Sequence, residues 1–118
     1  MSEREESKTA EDYFIRAGSG SRHLIFPGVE IKTTAGRQLM LSIVTLEPNS
    51  VVPDHAHPHE QMGVLLSGQL EFTIDGITRL LGPGDIWRIP GGVLHRVRAL
   101  NEPATALDVF HPIREDYL

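Results

Sequence analysis

Two short stretches decide how this chain is read: Asp54-His55-Ala56-His57-Pro58-His59-Glu60-Gln61 and Pro90-Gly91-Gly92-Val93-Leu94-His95. Four of the six histidines fall inside them. His55 and His57 are two residues apart, a spacing that puts both imidazoles on one face of an extended strand. Gln61 lies four beyond His57 and shares that face if the chain stays extended, while Glu60 points the other way. His95 would reach the same point from another strand. Imidazole nitrogens suit Zn, Ni, Cu and Fe, and the amide oxygen of Gln61 is a neutral, harder ligand. An isolated His-x-His pair also occurs as plain surface histidines. The glycines and prolines around this one give it weight.

Outward from these stretches the chain reads as short apolar runs cut by turn residues. Strands are predicted at 23–26, 29–33, 37–46, 62–66, 69–74, 77–81, 86–89, 94–100 and 105–110. In the long run at 37–46, Leu39, Leu41 and Ile43 alternate with Met40, Val44 and Leu46, which suggests a strand covered on both sides. Asp75-Gly76 is a hairpin signal, and Gly82-Pro83-Gly84-Asp85 a tight turn. No run between Val29 and Phe110 keeps a 3.6-residue period; a short helix at 7–15 is the most that the N-terminal part offers. So many short strands with Gly/Pro turns indicate an all-β sandwich or barrel.

With 118 residues, 40% of them hydrophobic and 23% charged, the chain suits one domain able to bury its own core. Residues 1–12 carry five acids against two bases and read as a disordered or loosely docked tail, leaving 13–118 as the domain. The absence of cysteine excludes disulfides, thiolate ligands and thiol nucleophiles. No apolar run reaches the roughly 18 residues that span a bilayer, and the first residues lack the basic start and apolar centre of a secretory signal. A cytoplasmic, non-membrane protein is expected. The net charge of −5, without a basic stripe, argues against nucleic acid as a partner.

The order His55-x-His57, Gln61, Gly68, then Gly84, Pro90-x-Gly92, His95, with fifteen residues between the two glycines, resembles the two motifs of the cupin superfamily. The resemblance implies an all-β, double-stranded β-helix (jelly-roll) barrel of one domain. It also implies one divalent ion (Zn, Ni, Mn, Fe or Cu) held by His55, His57, Gln61 and His95. Two positions depart from the pattern. Gln61 stands where the family usually has glutamate, and Ala99 where asparagine is common. Three imidazoles and an amide leave a bound ion its full charge, which favours Lewis-acid chemistry over that of 2-His-1-carboxylate oxygenases.

Together with the tail Leu107-Asp108-Val109-Phe110-His111-Pro112-Ile113-Arg114-Glu115-Asp116-Tyr117, the first stretch looks like the pectin-degradation cupins, which open the ring of 4,5-unsaturated monouronates. That resemblance assigns Asp108, Phe110 and Arg114 to the pocket: Asp108 and Arg114 as catalytic residues, Phe110 and Arg114 as substrate-binding. The residues themselves leave alternatives open. Asp108 sits in an apolar run, where a carboxylate is costly unless paired or functional; a structural pairing with Arg96, Arg98 or Arg114 explains it equally. Arg114 suits bidentate capture of a carboxylate, or is a solvated tail charge. Phe110 can face a sugar ring or fill core. His59, His111, His23 and Trp87 are not expected in the site, Trp87 serving as barrel core or dimer contact. The expected function is that of a metal-dependent enzyme on a small carboxylated sugar. Its rivals are an iron-dependent cupin dioxygenase and a non-catalytic small-molecule-binding module. A homodimer is expected as the assembly.

Overall fold

The computed structural model describes residues 13–118. The tail read at 1–12 lies outside the described residues. Of the helix considered at 7–15, only 13–15 are described, and none of these is helical.

Ten strands follow one another: β1 Ser21–Phe26, β2 Val29–Ala35, β3 Met40–Leu46, β4 Val51–His55, β5 Glu60–Ser67, β6 Leu70–Ile74, β7 Ile77–Leu81, β8 Ile86–Ile89, β9 His95–Ala99 and β10 Ala104–His111. A 3-10 turn, Glu115–Tyr117, follows them. β1-β2-β3-β10-β5-β8 form one sheet and β4-β9-β6-β7 the other, with every pairing antiparallel. The two sheets share one core: Val29, Leu46, Leu65 and Trp87 from the first meet Val52, Leu70, Phe72 and Ala99 from the second. This is the all-β jelly roll, in one domain.

Local chemistry sets the turns. Asp75 and Gly76 both have positive φ, as a two-residue hairpin whose twist matches its strands requires, and Ile74 pairs directly with Ile77 across it. Alternation sets the faces. In β10, Ala104, Ala106, Asp108 and Phe110 are buried while the residues between them are less so. β3 corrects one expectation. Met40 and Leu46 are buried, but Leu41 and Ile43 are 48% and 40% exposed, so among the described residues its second face is only partly covered.

The register lays side chains out in tiers across the larger sheet. One tier runs Ser42 on β3, Asp108 on β10, Gly63 on β5 and Trp87 on β8. The next runs Met40, Phe110, Gln61 and Ile89. Gly63 is the gap in the first tier: a Cβ there would collide with both the Asp108 carboxylate and the Trp87 indole. Glycine inside a strand marks such a close approach.

Gly63→Ala therefore should cost about 1–3 kcal/mol of unfolding free energy through overpacking. Urea denaturation followed by the emission of Trp87, the sole tryptophan, checks it. A variant as stable as the parent would contradict the close approach.

Candidate metal centre and cavity

His55 closes β4, His95 opens β9, and the two are cross-strand partners with ring centroids 4.1 Å apart. His57 is not on a strand. It stands in the link 56–59, with its ring 5.1 Å from that of His95. The shared strand face expected for His55 and His57 is thus replaced by a turn that swings His57 inward. Pro58 lacks an N–H and keeps the residue before it out of helical geometry. Gly92 donates its N–H to the His57 carbonyl at 2.8 Å. The link passes Gly91 so closely that a Cβ there would meet the Pro58 carbonyl. The Pro90-Gly91-Gly92 stretch thereby serves the histidines directly.

The three rings are held in one manner. Nδ1 of His55 donates to the Pro53 carbonyl (2.9 Å), Nδ1 of His57 to that of His59 (3.1 Å), and Nδ1 of His95 to that of Val93 (2.9 Å). A neutral imidazole has one N–H. Once it is used at Nδ1, Nε2 is a lone pair. Burial pushes His95 down to about 4, against the hydrogen bond to Val93. Burial, then the charges of Arg114 and His55, lower His57. Both shifts favour the neutral ring.

Nε2 of His95 is buried and has no hydrogen-bond partner. One ring nitrogen from each of the three histidines lies within 4.8 Å of the others. Nε2 of His57 and Oε1 of Gln61 stand 3.1 Å apart. With the ring proton on Nδ1 and the amide in this orientation both are lone-pair atoms, a contact that a shared cation would reconcile. An orphaned lone pair on His95, rings fixed through Nδ1 and an amide oxygen together make a donor set that fits a divalent cation. His59, as expected, is outside the three-ring group. Its carbonyl orients His57.

Beside the rings is a cavity of about 60 Å³. His55, Gln61, His95, Asp108, Phe110 and Arg114 all line it, so every residue singled out from the sequence borders it except His57. His57 reaches its wall through an edge-on contact with Phe110, centroids 5.8 Å apart. Asp108 is 7% exposed. Its partner is not one of the arginines considered: Trp87 Nε1 donates to Oδ1 at 2.8 Å. Burial raises the Asp108 carboxyl to about 6, against hydrogen bonds from Gln61 and Trp87 and the charge of Arg114.

Arg114 is not a solvated charge, since its side chain is 12% exposed. The guanidinium lies 4.0 Å from the ring centre of Tyr117 and 5.3 Å from that of Phe110. Asp116 receives its Nη2 at 2.9 Å. The tail is clasped in turn: the Tyr117 carbonyl accepts from His23 Nε2 (3.0 Å) and from the Thr33 hydroxyl. Trp87 and Tyr117, which also line the cavity, were not legible as parts of the site. Gly63 inside an apolar strand was the one signal available for Trp87.

A family model for the cupin domain matches residues 42–110, more than half of the chain. This protein belongs to the cupin family. Among curated relatives, the pectin degradation protein KdgF of Dickeya dadantii (strain 3937) is 31% identical over 81 residues, covering 68% of this cupin and 74% of that protein. Quercetin 2,3-dioxygenase of Bacillus subtilis (strain 168) is 36% identical over 91 residues, which span 73% of this chain but only 27% of the dioxygenase. Among solved structures, KdgF from Halomonas sp. superposes with a TM-score of 0.81 at 30% identity, covering 89% of this cupin and 97% of that chain.

Two outcomes follow from the geometry. His95→Ala is expected to weaken binding of Ni or Zn at least about tenfold in calorimetric titration. Unchanged affinity would remove His95 from the site. In metal-free protein, Asp108→Asn is expected to raise stability at pH 7 by up to about 3 kcal/mol, because a carboxyl moved from 3.8 to about 6 is destabilising once ionised. The sign is specific. A raised folded value means that the native carboxyl loses stability as pH climbs from about 4 to 6, so the gain from asparagine fades below about pH 4. Unfolding curves across that range check it, and a gain independent of pH would contradict the assignment.

Proposed function

We propose that this cupin is a metal-dependent isomerase that opens the ring of a small 4,5-unsaturated monouronate. The observation that carries the reading is one cavity bordered by the unpartnered Nε2 of His95, a buried carboxyl and a stacked guanidinium. Likeness to proteins named for pectin degradation supports the substrate class.

In this reading His55, His57, His95 and Gln61 hold one divalent ion. Bound there, such an ion supplies Lewis-acid stabilisation of negative charge on a substrate oxygen. The remaining work falls to the chain. Ring opening of a hemiacetal enol ether is an isomerisation. The anomeric hydroxyl gives up a proton, the bond from C1 to the ring oxygen breaks, and a proton is delivered to C4. One group that can take and return a proton suffices, and the Asp108 carboxyl, buried and near 6, suits both directions at neutral pH. Arg114 receives the uronate carboxylate as a charge-assisted pair. Phe110 presents its ring to the apolar face of the sugar. The clasped tail and the apolar walls exclude water from the reacting atoms. A homodimer, in the cytoplasm, belongs to the same reading; the partly covered face of β3 supports self-association.

The likeness to quercetin 2,3-dioxygenase favours a second reading, an iron-dependent dioxygenase. Gln61 weighs against it, because the ligand set then lacks an anionic member. A non-catalytic binding module is the third outcome.

Turnover of a 4,5-unsaturated galacturonate monomer by metal-replete protein, followed as loss of the alkene proton by NMR, tests the reading. Native protein is expected to accelerate the loss and His95→Ala to abolish it. Arg114→Met is expected to raise KM about tenfold or more, the worth of one charge-assisted pair. No acceleration by the native protein would overturn the substrate assignment. Oxygen uptake with iron would then favour the dioxygenase, and a ligand recovered unchanged would favour the binding module.

A further inference from the structure

A buried indole N–H needs an acceptor, and any main-chain carbonyl would serve. Trp87 instead reaches across a whole strand to a carboxylate. It stands on β8 and Asp108 on β10, with β5 between them. β5 crosses the line between the two at Gly63, which is paired to both residues. Any side chain at 63 would fill the space that the 2.8 Å hydrogen bond occupies. The strand has given up a side chain in its middle so that this bond can form.

The indole is itself immobile. Trp87 is 4% exposed and its ring packs 4.9 Å from that of Phe72, which comes from the opposite sheet. The carboxylate is therefore held by a fixed donor. Trp87 holds Oδ1, and Gln61, beside His57, contributes a further hydrogen bond to the carboxylate. The carboxyl so held lines the cavity.

We propose that Trp87 is a positioning residue for the reaction: through its indole N–H, and by way of the gap at Gly63, it aims the Asp108 carboxyl at the substrate. The proposal rests on the monouronate reading above. It separates a positioning role from mere core filling, because the N–H can be removed with little change in volume. Trp87→Phe does this approximately. Since the chain has one tryptophan, biosynthetic replacement by β-(3-benzothienyl)alanine, in which sulfur stands in for the N–H, does so at this position alone.

The experiment compares metal-replete native protein, Trp87→Phe and the benzothienyl protein on the 4,5-unsaturated galacturonate monomer, with calorimetric metal affinity and thermal midpoint measured on each. A positioning role gives kcat lowered about tenfold or more, as loss of a hydrogen bond to a charged group implies, with KM and metal affinity within about twofold. If Trp87→Phe fails to fold, the benzothienyl protein alone decides. An unchanged kcat in the benzothienyl protein would overturn the proposal and leave the uronate reading intact. So would a loss of kcat matched by loss of metal affinity or of folded protein. Native protein inert on the uronate would overturn both.

Discussion

Everything at the mouth of this barrel depends on where three protons are placed. The Nδ1–H groups of His55, His57 and His95 are given to the carbonyls of Pro53, His59 and Val93. Each donation fixes a tautomer and a ring orientation together. The carbonyls are main-chain atoms, Pro53 within β4 and His59 and Val93 in the links that lead into β5 and β9, so the barrel scaffold itself sets the direction of the lone pairs. Rings free to choose the other tautomer would present N–H groups to one another and could hold no cation.

That arrangement works against stability. Nε2 of His95 is a buried acceptor without a partner, and Asp108 is a carboxyl in an apolar tier whose ionised form burial disfavours. Each costs on the order of 1–3 kcal/mol. The core shared by the two sheets offsets them. Local strain of this kind is expected where a site is built for a ligand. The opposite shifts have one origin: burial keeps His95 free of a proton and Asp108 in possession of one further up the pH scale.

Much of this was legible in the chain because it is local. Asp75-Gly76 specifies a hairpin by its own backbone preferences, and the alternation in 70–74 and 104–110 specifies which residues face inward. The histidine pair and Gln61 were legible as neighbours, but not by the route assumed. An extended chain from 55 to 61 was the simplest use of the even spacing, and Pro58 instead turns the chain after His57. What stayed hidden is non-local. β10 inserts between β3 and β5, and no periodicity announces a partner so distant in the chain. The Trp87–Asp108 bond joins residues twenty-one apart across a strand that neither belongs to. The arginines were the obvious partners for Asp108 by charge, yet two of them sit on β9 in the other sheet, and Arg114 is occupied by Asp116 and two aromatic rings.

The central claim is that these lone pairs converge on one cation. Anomalous diffraction from crystals of the nickel-loaded protein, collected on either side of the nickel absorption edge, tests it most directly. The account predicts a single strong peak bonded to Nε2 of His55, His57 and His95, with every Nδ1 still on its carbonyl. A peak bonded through Nδ1, or one elsewhere on the protein with the three rings unligated, would contradict it.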